Sequence, residues 1–104
     1  MFGILKNIFS KKDDNLLKIV NEDAFLVDVR SSAEFAQGHV KGSVNIPLDQ
    51  IPNLLSKFKG KKNIVVFCRS GARSSQAKYI LETNGFTNVT NGGTWQNVNS
   101  LLTK

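Results

Sequence analysis

Apolar residues along this chain follow two rhythms. Ala24-Phe25-Leu26-Val27-Asp28-Val29 and Asn63-Ile64-Val65-Val66-Phe67 are short, nearly continuous apolar and β-branched runs, the pattern of strands covered on both faces. Ser43-Val44-Asn45-Ile46 and Thr87-Asn88-Val89-Thr90 read as two shorter strands. Elsewhere the apolar positions recur at helical spacing: Leu16, Leu17, Ile19 and Val20; Leu54, Leu55 and Phe58; the stretch Ser74 to Glu82; and Trp95, Val98, Leu101 and Leu102.

The punctuation between these segments agrees with that division. Lys11-Lys12-Asp13-Asp14-Asn15 is a polar break whose Asp or Asn caps the first helix, and Asn21-Glu22-Asp23 ends it. Ser31-Ser32-Ala33-Glu34 fits the capping box, in which a serine and a glutamate three residues on satisfy each other's backbone donors. Gly38 stops that short helix. Pro47 and Pro52 each suit a first helical position, so the second is expected to open a helix that buries Leu54, Leu55 and Phe58 and ends at Gly60. Asn84-Gly85 closes the helix after the central strand, and Asn91-Gly92-Gly93 reads as a turn. Strand and helix alternate throughout. The expected class is therefore α/β, with a small, mainly parallel sheet between helices and its ligand site at the C-terminal ends of the strands. Asp28, Arg30 and Cys68 all fall at such ends.

Composition narrows the picture only a little. The 104 residues are 40% hydrophobic and 21% charged, enough for one core and too few for two. The net charge of +6 draws on two lysine groups, Lys6 with Lys11-Lys12 and Lys57 with Lys59, Lys61 and Lys62. Neither group interleaves aromatics or matches a nucleic-acid motif, so they read as a solvated basic surface that steers small anions. One cysteine rules out an internal disulfide and a cysteine-based metal cluster. Residues 1–12 read as an apolar and basic N-terminal extension, followed by a domain over 13–104. Phe2, Leu5 and Phe9 would share a helix face that packs on the domain or docks elsewhere. The stretch is too short to span a bilayer and lacks the marks of a secretion signal, so the expected location is the cytoplasm.

The chemistry concentrates in Cys68-Arg69-Ser70-Gly71-Ala72-Arg73. A strand, a tight glycine-containing loop and a helix start form an anion cradle, because loop amides and the helix N-terminus face one point. A cysteine there is held as thiolate in preference to thiol.

At this point the residues resemble a known family. Asp28-Val29-Arg30, Glu34-Phe35 and Gly38-His39-Val40-Lys41-Gly42-Ser43-Val44-Asn45-Ile46-Pro47 resemble the spaced signature of single-domain rhodaneses. Cys68-Arg69-Ser70-Gly71-Ala72-Arg73-Ser74 looks like their active-site loop. Gly85-Phe86-Thr87-Asn88-Val89, Gly92-Gly93 and Trp95 look like their C-terminal end. The resemblance implies a rhodanese-like three-layer α/β/α fold and sulfurtransferase activity. Cys68 would take a sulfane sulfur from thiosulfate or another persulfide donor and pass it to cyanide, a thiol or an acceptor protein. It implies no metal, no organic cofactor and no nucleic-acid or membrane partner, in a monomer. Family members usually carry a strand before the first helix, and no such strand is legible here.

The resemblance also distributes roles. Cys68 would be the nucleophile, Gly71 would let the backbone close on the anion, and Ser70 and Ala72 would lend backbone N–H groups. Arg69 and Arg73 are each two-sided: either meets the substrate, or Arg73 turns away and pins the loop through a carboxylate. Arg30 matches a donor-orienting arginine but is equally placed to pair with Asp28 or Glu34. Asp28 reads as structural, and His39 as a turn residue tied to backbone. Ser70 stands where some thiosulfate-using relatives carry a cation, which leaves the donor open.

Three other functions compete with that reading. Phosphatases and arsenate reductases of the same fold have one more residue between cysteine and arginine, and Phe67 stands where a tyrosine phosphatase would have histidine. A non-catalytic binding module would usually lack the cysteine. A persulfide carrier with a dedicated acceptor is compatible with every residue named.

Overall fold

A computed structural model describes residues 11–102. The first strand, β1 (Ala24–Asp28), follows helix α1 (Lys11–Val20). Helix α2 (Ser32–Gln37), the two-residue strand β2 (Val44–Asn45) and two 3₁₀ segments (Leu48–Asn53 and Leu55–Phe58) come next. Strand β3 (Asn63–Cys68), helix α3 (Ala72–Thr83), strand β4 (Val89–Thr94) and helix α4 (Trp95–Leu102) complete the chain. The sheet has the order β2-β1-β3-β4, and every pairing is parallel.

Alternation along the central strands sorts the core into two layers. Val27, Val29, Ile64, Val66 and Cys68 face Ala77 and Leu81 of α3, with Ile51 and Phe58 of the 3₁₀ segments. Leu26, Val65 and Phe67 face the other way, onto Leu16 and Val20 of α1 and Val98 of α4. Val27, Val65, Val66 and Phe67 are fully buried, as the unbroken apolar runs require. The α/β expectation is met, with helical layers on both faces of a parallel sheet.

Three local expectations are corrected. No α-helix follows Pro52. Two 3₁₀ turns stand there instead, closed by the Leu54 N–H on Ile51 O and the Lys57 N–H on Leu54 O. Pro52 lacks an amide and disfavours helical geometry in the residue before it, so only short i to i+3 bonding survives. Leu54 breaks the two segments with a φ of −127°, and Phe58 still reaches the core. Asn91-Gly92-Gly93 is part of β4, not a turn: Val66 pairs with Asn91 and Phe67 with Gly93, so Gly92 is the extra residue of a bulge. Gly92 is glycine because a Cβ there would lie 2.8 Å from Val98 Cγ2 and 3.0 Å from Val65 Cγ1. Residues 11–15 all belong to α1, so they form no polar break before it, and Asp13, Asp14 and Asn15 lie inside the helix and do not cap it. Gly38 ends α2 as expected, with an extended backbone, and the ring of Trp95 lies against it, 3.5 Å from where a Cβ would stand. The apolar face of Phe2, Leu5 and Phe9 lies outside the described residues.

Candidate active site

The capping box of α2 forms as the sequence dictates. The Glu34 N–H donates to Ser31 Oγ, and the Ser31 N–H donates to Glu34 Oε1. This fixes a short helix without buried residues beside the C-terminal end of β1. Glu34 is then bridged by Arg73 from the first turn of α3, with Nη1–Oε1 at 2.7 Å and Nη2–Oε2 at 3.0 Å. Arg73 and the Ser31 amide hold the Glu34 carboxyl down at about 2, against a slight opposing effect of burial. The bridge in turn raises the Arg73 pKa.

Cys68 ends β3 and is fully buried. The chain leaves it through Arg69 and Ser70, both exposed, and reaches Gly71, which caps α3 in the left-handed region at φ 96°. That conformation favours glycine, and it turns the Gly71 N–H back onto Cys68 Sγ at 3.0 Å. The Ser74 N–H, in the first turn of α3, reaches the same sulfur at 3.4 Å. Its helix position leaves that amide without an intrahelical partner, so the thiol supplies one. Burial of Cys68 pushes its pKa up. Bonding by the Ser74 side chain and by the backbone N–H groups of Ser74, Ser70 and Gly71 outweighs it, and the net shift is down. The thiolate is favoured by amides aimed at the sulfur itself.

Ser74 is fully buried, and its Oγ lies 3.5 Å from Cys68 Sγ. The same hydroxyl lies 2.7 Å from Asn91 Oδ1 and 3.1 Å from Gly71 O. Asn91 Oδ1 also accepts from the Gly93 N–H at 2.9 Å, and its Nδ2 donates to Gly71 O at 3.4 Å. The edge strand is thereby tied to the cysteine loop through one amide side chain.

Arg30 and Asp28 form a second, buried unit at the end of β1. Arg30 Nε donates to both carboxylate oxygens at 2.9 and 3.0 Å, and Nη2 donates to Oδ2 at 2.7 Å. Nη2 also donates to Gly38 O at 2.7 Å, and the guanidinium lies 4.8 Å from the Trp95 ring centroid. No buried side-chain polar atom among the described residues lacks a partner. His39 Nδ1 donates to Phe35 O at 2.8 Å, and its ring stacks on Phe35, so it is tied to the turn.

A polar cleft of about 330 Å³ opens beside this assembly, lined by Arg30, Glu34, Gln37, Gly38, Arg69, Trp95 and Gln96. The charges of Arg30 and Glu34 are matched by Asp28 and Arg73. Arg69 forms no ion pair among the described residues, which leaves the cleft an excess positive charge. An equally roomy recess of about 380 Å³ lies between α1 and β4, but it is mainly apolar and holds no charged group. The polar cleft suits an anion better.

Of the residues singled out from sequence, Cys68, Arg69, Ser70, Gly71, Ala72 and Arg73 form one turn at the head of α3, and Arg30 reaches the neighbouring cleft. Sequence reasoning named Ser74 and Trp95 in the family-like stretches without giving them a site role, and it missed Asn91, Gln37 and Gln96 as site residues. Ser74 was legible as a first-turn residue with a free amide. Asn91 carried no local signal, because its partners lie 17 and 20 residues away in the chain. No group of three or more metal-ligating side chains occurs among the described residues.

The comparisons agree with this geometry. Residues 12–94 match the family model described as the rhodanese-like domain. The chain is 41% identical over 70 residues to a protein named sulfurtransferase from Allochromatium vinosum, covering 67% of this chain and 65% of that protein. It is 39% identical over 69 residues to the thiosulfate sulfurtransferase PspE of Escherichia coli, covering 64% and 66%. The matches thus span slightly less than two thirds of those relatives' own lengths. A solved structure of a "rhodanese with anions from E. coli" superposes with a TM-score of 0.65 at 36% identity, over 71% of this chain and 89% of that one. Parallel sheet, cysteine loop and sequence match converge: the chain belongs to the rhodanese-like domain family.

Proposed function

We propose that this protein is a sulfurtransferase that carries a sulfane sulfur on Cys68. The observation that carries the reading is the pair of backbone amides, from Gly71 and Ser74, aimed at Sγ at the head of α3. They favour the thiolate, and they would stabilise the same sulfur when it leaves as a thiolate in the second half of the cycle. In the first half the Cys68 thiolate attacks the outer sulfur of a donor such as thiosulfate. The donor's S–S bond breaks and sulfite departs with the electron pair. The resulting persulfide places its terminal sulfur about 2 Å beyond Sγ. In the second half cyanide or an acceptor thiolate attacks that terminal sulfur, and Sγ takes back the electron pair. No metal or organic cofactor is required by these steps.

Access favours sulfur over phosphate. Sγ is fully covered, and the amides point at it and not at a volume beyond it. A sulfane sulfur is a single terminal atom, whereas a phosphoryl group needs room for three oxygens around the attacking thiolate. Arg73, which would clamp those oxygens in a phosphatase, is held by Glu34. Arg69, unpaired at the mouth, meets the anionic part of the donor, with Arg30 setting the wall of the cleft. Ser70 and Ala72 put only small side chains on the loop, and the Ser70 amide adds to the pull on the thiol. Thiosulfate is the donor this arrangement fits most simply. A lone thiol that has to stay reduced suits the cytoplasm.

The test is mass spectrometry of the intact chain after exposure to thiosulfate and to small persulfides, beside a thiosulfate-to-cyanide assay. A single added sulfur atom at Cys68, lost on addition of cyanide, is expected. Cys68→Ser is expected to fold and to transfer nothing. Transfer retained by that variant would overturn the mechanism, and the lack of an adduct with any donor would favour a binding module.

A further inference from the structure

Cys68 Sγ, Ser74 Oγ and Asn91 Oδ1 form a row with spacings of 3.5 and 2.7 Å. The Gly93 N–H, which can only donate, meets Asn91 at 2.9 Å and so fixes that atom as the carboxamide oxygen. An oxygen at 2.7 Å from the Ser74 hydroxyl has no proton to give, so the hydroxyl donates to Asn91. Ser74 has one hydroxyl proton, for which Sγ and Asn91 Oδ1 compete, with Gly71 O a more distant third acceptor at 3.1 Å. With the proton on Asn91, Ser74 Oγ offers a lone pair toward Cys68 and suits a thiol S–H. With the proton turned to Sγ, it suits a thiolate.

We propose that Asn91 is a positioning residue for the cysteine, holding the Ser74 hydroxyl proton while Sγ carries a hydrogen or a bound sulfur and releasing it to Sγ when the thiolate forms. The reading rests on the sulfur cycle above. In the persulfide the charge moves to the terminal sulfur, Sγ needs no third donor, and the hydroxyl returns to Asn91. When the acceptor attacks, Sγ regains the electron pair and the hydroxyl swings back. No atom is lost or gained, since a single O–H rotates between two acceptors.

The bulge builds the arrangement. Gly92 is the extra residue, packed against Val98 and Val65, and Gly93 sits in the left-handed region at φ 81°. Together they turn the Gly93 amide back onto the Asn91 side chain. The loop side is held by the Asn91 Nδ2 bond to Gly71 O. The charged groups on the elements around Cys68 are Asp28 on β1, Arg30 after it, Glu34 on α2, Arg69 in the loop, and Arg73, Lys78 and Glu82 on α3. Asn91→Leu leaves all of them in place.

The test is the pH profile of Cys68 alkylation by iodoacetamide in the full chain, which needs no sulfur donor. Asn91→Leu removes the nearest competing acceptor and leaves only Gly71 O at 3.1 Å, so the midpoint is expected to fall by about half a pH unit, a roughly threefold gain in thiolate below it. Ser74→Ala is expected to raise the midpoint, and Asn91→Leu added to Ser74→Ala is expected to change nothing further. An unmoved or raised midpoint in Asn91→Leu with native circular dichroism overturns the proposal, as does an equal shift in both backgrounds. Should Asn91→Leu fail to fold, Asn91→Asp decides. Its carboxylate holds the proton more firmly, so the midpoint should rise by more with Ser74 present than with Ser74→Ala, and equal rises overturn the proposal. Sulfur transfer by the unaltered chain is assayed separately, so a loss of the sulfurtransferase reading is distinguishable from a loss of this one.

Discussion

Arg73 and Glu34 join the head of α3 to the head of α2 through two parallel contacts of 2.7 and 3.0 Å, across 39 residues of sequence. An arginine next to a cysteine loop would ordinarily be assigned to the substrate. Here both ends of its fork are occupied by a carboxylate, which is itself fixed by a capping box. The pair braces the loop and leaves Arg69 as the loop arginine without an ion pair among the described residues.

The bridge gives a pH-dependent stability. The Glu34 carboxyl titrates at about 2 in the folded chain against 4.5 when free, so between those values the unfolded chain binds more protons. The contribution is present above pH 4.5 and lost as pH falls toward 2. Both side chains are about a third exposed, so solvent screening limits the pair to about 1 kcal/mol. Glu34→Gln keeps the capping box and removes the charge. Urea titrations should find it about 1 kcal/mol less stable at neutral pH, with the difference vanishing in acid and shrinking in high salt.

The buried unit at the end of β1 should be far less forgiving. Asp28 is fully covered and Arg30 nearly so, with a relative exposure of 4%. Asp28→Ala strands a buried guanidinium and is expected to cost about 3–5 kcal/mol. Arg30→Met combined with Asp28→Leu should recover much of that loss in denaturant titrations, while the polar cleft loses anion affinity.

Gly92→Ala tests the bulge. The added methyl would sit 2.8 Å from Val98 and 3.0 Å from Val65, both fully buried. Overpacking of this kind costs about 1–3 kcal/mol. Calorimetry should register a lowered Tm, and the Cys68 alkylation profile should shift with it, because Asn91 is displaced together with its neighbour.

Gly71→Ala separates the loop from the fold. The left-handed backbone at φ 96° would cost an alanine about 1–2 kcal/mol. A flipped Gly71 peptide withdraws an N–H from Sγ. Stability should fall modestly and sulfur transfer steeply. The transfer rate of the unaltered chain should fall as pH drops through the lowered Cys68 pKa and level off above it.

How much was legible in advance follows the range of the interactions. The two buried strands, the capping box and the cysteine at a strand end are encoded in runs of a few residues, and they form as read. The helix after Pro52 was misread because Leu54, Leu55 and Phe58 have helical spacing, while the proline's missing amide allows only 3₁₀ turns. The Asn91-Gly92-Gly93 stretch was misread because two glycines mark a turn in isolation. Pairing with β3 on one side and the Val98 and Val65 methyls on the other turn it into a bulged edge strand.

By itself the sequence determined the parallel α/β class, the strand-end position of Cys68 and the family to which its loop belongs. Hydrophobic periodicity and capping are local, and a six-residue motif carries its own geometry. Only the tertiary structure decided which arginine is free, that Arg30 belongs to Asp28 and Arg73 to Glu34, and that Ser74 and Asn91 stand in line with the sulfur. Charges and hydroxyls choose partners by distance in space, and folding sets that distance between residues whose separation in sequence says nothing about it.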